Sequence, residues 1–104
     1  MEFGLNNNDI ERIKSVFSLF DEVEKVILYG SRAKGTFKPF SDIDLTLKGC
    51  KLNLTILQNI ETCLDDLLLP YKFDISIYHH ISNPELIEHI NRIGKSFYSQ
   101  SKFD

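Results

Sequence analysis

Apolar residues recur along this chain with two different periods, and the changes between them mark its elements. Ile10, Ile13, Phe17 and Phe20 fall at helical spacing, and Asn8 followed by Glu11 has the form of a capping box. A first helix is expected over about 8–21. The run VILYG, 26–30, is short, apolar and closed by Gly, as a buried strand would be. DIDLTL, 42–47, alternates strictly and reads as a second strand. Leu57, Ile60, Leu64, Leu67 and Leu68 mark a helix over about 53–69, stopped by Pro70. FDISIY, 73–78, alternates again and gives a third strand. Ser82 with Glu85, and Pro84 in the first turn, open a last helix carrying Leu86, Ile87, Ile90 and Ile93 and ending at Gly94. The tail from Lys95 onward carries little pattern.

The expected order is helix, strand, loop, strand, helix, strand, helix. It predicts an α+β fold, a small mixed sheet with helices packed on one face. Side chains alternate across a strand. Ile43, Leu45 and Leu47 therefore share one face, and Asp42, Asp44 and Thr46 the other. In the third strand Phe73, Ile75 and Ile77 oppose Asp74, Ser76 and Tyr78. With the helices on the oily face, three carboxylates can share the open one.

Composition narrows the classes. The chain has 104 residues, which predicts one domain over 1–104. Such a domain buries roughly two-thirds of its unfolded surface. Hydrophobic residues make up 42%, enough for a folded core. A net charge of −3 argues against extended nucleic-acid binding, which needs a basic footprint. It leaves small anions open, because a local basic loop can hold them. Cys50 and Cys63 make neither a disulfide framework nor a metal spacing. No signal peptide and no apolar run of ~18 residues is present, so the expected location is cytoplasmic, with no membrane partner.

The stretch GSRAKGTFKPFSDIDL, 30–45, carries the chemistry. Asp42 and Asp44 have Cα atoms about 7 Å apart along a strand, so their carboxylates can lean over one point. Mg²⁺ takes oxygen ligands, usually one or two carboxylates, and fills its shell with water and substrate phosphates. Asp74 on a neighbouring strand could serve a second ion, or take a proton from an attacking hydroxyl. Without a cation the three repel one another. Gly30 lets the backbone turn. If Ser31 starts a short helix, its hydroxyl and the following N–H groups face an incoming phosphate. Arg32, Lys34 and Lys38 add positive charge. Each feature alone has a bland reading: a solvated acidic strand, an ordinary turn, an ordinary basic loop. Their conjunction points to a triphosphate grip beside a metal site.

Other residues carry less. His79 and His80 are adjacent, so in extended chain they point apart. His89 is expected to be exposed on its helix, Tyr29 to pack at the core edge and Cys63 in the core. Phe37 and Phe40 bracket Pro39 and can tuck beneath the loop, stack on a base or meet a partner.

The same stretch resembles the signature of the minimal nucleotidyltransferase family, a branch of the DNA polymerase β-like superfamily. The superfamily pattern is a hydrophobic residue, Gly, Gly or Ser, about ten residues, then Asp-hydrophobic-Asp-hydrophobic. Tyr29-Gly30-Ser31 and Asp42-Ile43-Asp44-Leu45 match it, and Phe73-Asp74-Ile75 resembles its later acidic strand. The resemblance implies metal-dependent transfer of a nucleoside monophosphate from an NTP, usually ATP, with release of pyrophosphate. It implies that Gly30 and Ser31 hold the triphosphate and that Asp42 and Asp44 bind Mg²⁺, two ions in all. Asp74 would be the third carboxylate, coordinating an ion or activating the acceptor. Arg32 takes the first basic position, and Lys34 stands where relatives often carry a second Arg. A lysine there attracts phosphate without bidentate geometry. Family members of this size often pair with a helical HEPN protein in toxin–antitoxin modules, the transferase being the antitoxin. The acceptor is then a hydroxyl on the partner, such as a tyrosine.

Residues 79–104 leave no room for a second domain to hold base and acceptor, so a partner subunit, in a homo- or hetero-oligomer, is expected to complete the site. Two alternatives remain open at this point. The chain could neutralise its partner by contact alone, through the Phe37-Pro39-Phe40 loop and the aromatic tail. It could also adenylylate a small molecule.

Overall fold

The two alternating runs become neighbouring strands of one sheet, as their shared parity requires. The computed structural model describes residues 1–100. Its elements are α1 (Asn7–Ser18), β1 (Lys25–Tyr29), α2 (Ser31–Lys34), β2 (Ile43–Lys48), α3 (Leu54–Asp65), β3 (Phe73–Ile77), a 3₁₀ turn (Tyr78–His80), α4 (Pro84–Ile93) and β4 (Lys95–Ser99). The sheet order is β3-β2-β1-β4. β1 pairs antiparallel with β2 and β4, whereas β2 and β3 are parallel, joined through α3. The fold is α+β with a mixed sheet.

One face of the sheet is dry. Val26, Leu28, Ile43, Leu45, Leu47, Ile77 and Phe97 meet Ile10, Ile13, Val16 and Phe17 of α1 and Ile60 and Leu64 of α3. Burying each such side chain contributes about 1.5–3 kcal/mol, so this layer fixes which way the alternating strands face. The other face carries Tyr29, Asp44, Thr46, Asp74 and Ser76, and the Ser76 hydroxyl donates to Thr46 Oγ1 at 3.0 Å. α4 lies over β1 on this second face. A Cβ on Gly94, at its end, would run into Ile27 Cγ2 at 2.6 Å, and Ile27 pairs with Thr46.

Three boundaries differ from the sequence expectation, and one strand is added. The first helix is capped by Asn6, whose side chain accepts from the Asp9 N–H at 2.7 Å, so Asn8 lies inside the first turn. α3 ends at Asp65 rather than near 69. Leu69 precedes Pro70 and is pushed out of the helical region, Leu68 adopts φ 56°, and Arg12 Nη2 takes the Leu67 carbonyl at 2.7 Å. α4 is capped by Asn83, not Ser82, because Pro84 at the first helical position makes the residue before it the cap. A fourth strand, β4, runs along the free edge of β1, with a bulge between Val26 and Ile27. Its Phe97 is buried beside Phe3 and Phe17. Residues 101–104, the end of the aromatic tail, lie outside the described residues.

Candidate active site

β1, β2 and β3 bring the signature residues to one end of the polar face. Asp44 sits opposite Tyr29 in the antiparallel pair and beside Asp74 in the parallel one. Asp42 lies just before β2 and is exposed, as is Asp74, while Asp44 is half-buried. Burial, then the negative charges of Asp74 and Asp42, push the Asp44 carboxyl up to about 6. The charges of Asp74 and Asp42 thus reach Asp44 across this end of the sheet. Among the described residues the ion pair formed is Arg92 with Glu88, on the exposed side of α4. No side-chain cation is paired with Asp42, Asp44 or Asp74 there.

This donor set suits a hard divalent cation: it is all carboxylate oxygen, already in mutual repulsion that positive charge would relieve. Among the described residues no group of three or more His, Cys, Asp or Glu is spaced as a ready-made metal cage. Mg²⁺ needs none, since it uses one or two carboxylates and takes the rest of its shell from water and phosphate.

Gly30 joins β1 to α2 at φ 76°, ψ −155°, a region essentially restricted to Gly. A Cβ there would collide with Asp44 Oδ2, so the backbone passes directly against the carboxylate. Ser31 opens α2, which closes with Lys34 N–H on the Gly30 carbonyl at 3.1 Å and with Gly35 in the left-handed region at φ 82°. Lys34 and Lys38 are exposed.

Arg32 does something other than expected. It is 2% exposed and lies on the core side of the loop. Its Nε donates to the Ser41 carbonyl at 3.1 Å, Nη1 to Phe3 at 2.9 Å, and Nη2 to Ser41 at 2.9 Å and Pro39 at 3.3 Å. The guanidinium faces the rings of Phe37 and Tyr71 at 5.3 and 5.1 Å. Every nitrogen is committed, so the expected nucleotide contact of Arg32 is replaced by a clamp on the loop that delivers Asp42 and Asp44. Phe37 tucks beneath the loop as part of this clamp. Phe40 stays 71% exposed and, with Met1, Gly4, Phe37 and Tyr71, lines a groove of about 380 Å³.

Two residues join the site whose part in it no residue pattern marked. Tyr29 is buried, but on the polar face. Burial pushes its phenol up, the Ser76 hydroxyl opposes that, and the Asp74 and Asp44 charges add to it. His89, expected to be exposed, is half-buried: its Nε2 accepts from the Gly30 N–H at 3.2 Å, and its ring lies edge-on to Tyr29 at 6.1 Å. It is 59 residues from Gly30, and only the packing of α4 on β1 links them. His79 and His80 are exposed on the 3₁₀ turn, and Cys50 and Cys63 are free thiols.

A family model described as polymerase beta, nucleotidyltransferase, matches residues 11–103. Among solved structures, a toxin–antitoxin with AMP-PNP is 20% identical at a TM-score of 0.69, covering 94% of this chain and 77% of that one. A tri-AMPylated Shewanella oneidensis HEPN toxin in complex with MNT antitoxin is 14% identical at 0.67, covering 94% and 76%. An MntA–HepT toxin–antitoxin is 14% identical at 0.66, covering 93% and 75%. At such identities the likeness is one of fold. No curated protein matches the chain.

Proposed function

Because this chain belongs to the polymerase beta nucleotidyltransferase family, we propose that it transfers AMP from ATP, with Mg²⁺, to a hydroxyl of a helical HEPN-type partner and so acts as an antitoxin. The observation that carries this reading is the pairing of Asp44 with Asp74 in register, with the Asp44 carboxyl raised to about 6 and, among the described residues, no cation paired with it. Such an arrangement is destabilised as it stands and gains when positive charge and phosphate arrive together.

In this reading Asp42 and Asp44 hold Mg²⁺, with Asp74 as a further ligand or as the base. The bound metal would neutralise the triphosphate and polarise its α-phosphorus. Gly30, with its backbone pressed against Asp44, and Ser31 at the head of α2 orient the phosphates. Lys34 attracts them as a point charge. The acceptor hydroxyl attacks the α-phosphorus and forms a new O–P bond. The bond to the β-phosphate oxygen breaks, pyrophosphate leaves, and the hydroxyl proton passes to a carboxylate; exposed Asp74 is open to the acceptor's side. The nature of the partner is supported by the structural neighbours, two of which are described as a toxin–antitoxin with AMP-PNP and as an AMPylated HEPN toxin with its MNT antitoxin.

The test is direct. The chain is incubated with Mg²⁺, α-labelled ATP and the product of the adjacent gene. Label moves to that protein with the wild type and not with Asp42→Asn. No transfer by the wild type, or equal transfer by the variant, contradicts the reading. A second reading, neutralisation by contact alone, draws on the exposed Phe40 and its groove. Full neutralisation by Asp44→Ala would favour it.

A further inference from the structure

We propose that His89 is a positioning residue of the nucleotide site: its imidazole holds the Gly30 N–H and so sets the turn that receives the triphosphate. The inference rests on Gly30 and Ser31 being that grip. Gly30 lies just beyond the end of β1, past the last ladder pair with Asp44, so its N–H has no strand partner. A backbone donor in a half-buried place needs an acceptor, and α4 supplies one from the far end of the chain, His89 Nε2 at 3.2 Å. An accepting Nε2 requires the neutral ring with its proton on Nδ1.

One ring contact and the seating of α4 keep the imidazole there. Its edge meets Tyr29 at 6.1 Å with an interplanar angle of 79°. The next residue, Ile90, is buried at 3%. The end of α4 is seated on β1 by Gly94, where a Cβ would strike Ile27 Cγ2.

The contact falls on a residue with two other duties. Gly30 adopts a conformation other residues rarely reach, and its Cα lies against Asp44 Oδ2. Fixing its N–H fixes the peptide plane between Tyr29 and Gly30, the base from which the Gly30 turn carries Ser31 and α2 off the sheet. The imidazole thus holds a phosphate-facing turn in register with a carboxylate. Pre-arranging a binding turn lowers the entropy lost when ligand arrives. Loss of the acceptor should therefore weaken nucleotide binding without dismantling the core, which lies on the other face.

The experiment uses the full chain, with His89→Leu to keep the contact with Tyr29 but remove the acceptor, and His89→Gln to restore an accepting oxygen. The affinity for a non-hydrolysable ATP analogue with Mg²⁺, the KM for ATP, kcat and Tm are measured for each. The expected result is a roughly three- to tenfold loss of affinity and matching rise in KM for His89→Leu, with kcat little changed and Tm lowered by only about 5 °C, and recovery in His89→Gln. Wild-type affinity in His89→Leu, or two variants that behave alike, overturns the proposal. If His89→Leu does not fold, NMR of the wild type decides. A scalar coupling across the Gly30 N–H to His89 Nε2 that persists on adding the analogue supports it; no coupling, or its loss when the analogue binds, overturns it. A wild type that binds the analogue but transfers no AMP counts against the enzymatic reading only, since affinity still reports on His89.

Discussion

Arg32 and Asp44 stand within the same short signature stretch, and the fold treats their charges in opposite ways. Arg32 is sealed on the core side, every guanidinium nitrogen on a carbonyl oxygen and two aromatic rings beside it. Its charge is met by neutral dipoles, with no counter-ion among the described residues, and burial still pulls its pKa down. Asp44 is half-buried on the other side of the sheet, beside Asp74 and near Asp42, and among the described residues no cation pairs with it. The contrast separates a charge that belongs to the architecture from one held ready for something external. A buried cation with satisfied donors stabilises a loop. A cluster of like charges persists only where the rest of the fold outweighs its repulsion.

The contrast breaks most visibly in activity. Asp44→Asn removes the charge proposed to hold the metal and leaves the dry face untouched. AMP transfer should fall by roughly a thousandfold while the folded structure persists, which labelled-ATP kinetics and circular dichroism check together. Arg32→Lys should do the reverse. Lysine cannot reach Phe3, Pro39 and Ser41 at once, so buried carbonyls lose partners, at a cost of about 3 kcal/mol. In a chain of this size that lowers Tm by roughly 15 °C, readable by calorimetry. Activity should then follow the folded fraction, and the affinity of the folded chain for ATP should change little. A smaller effect sharpens the same division. The Asp44 carboxyl binds its proton more tightly in the folded chain, so it stabilises the fold at low pH, and that contribution disappears as pH rises through about 6. Denaturant melts in a chelator should therefore show metal-free wild type losing stability from about pH 4 to 7. Asp44→Asn should flatten this slope and, above pH 7, be the more stable of the two.

The polar face was legible in the sequence because parity is a strict rule. Once Ile43, Leu45, Ile75 and Ile77 must meet the helices, Asp44 and Asp74 have nowhere to go but the other side. The glycine-serine turn was equally plain, since its backbone needs no side chain. Boundaries were less so. Asn6, Asn8 and Ser82, Asn83 are all competent caps, and the choice between neighbours depends on which N–H groups the first turn leaves free. β4 escaped notice because KSFYS has one core residue, Phe97, and gains its strand by lying on the open edge of β1. Arg32 departs from expectation because a cation in a basic glycine-serine loop has the same sequence appearance whether it faces a ligand or holds the loop. Only the positions of the Phe3, Pro39 and Ser41 carbonyls decide it. His89 carried no local signal at all, its role arising where a late helix crosses an early strand.

The central claim is that the carboxylates of this polar end bind a divalent cation together. Paramagnetic NMR with Mn²⁺ reads it most directly, in chain labelled at aspartate carboxyl carbons. At low Mn²⁺ the account predicts selective broadening of Asp42, Asp44 and Asp74, reversed by excess Mg²⁺, with Asp9 and Asp21 unaffected. Uniform broadening across the aspartates, or none at the three, would contradict it.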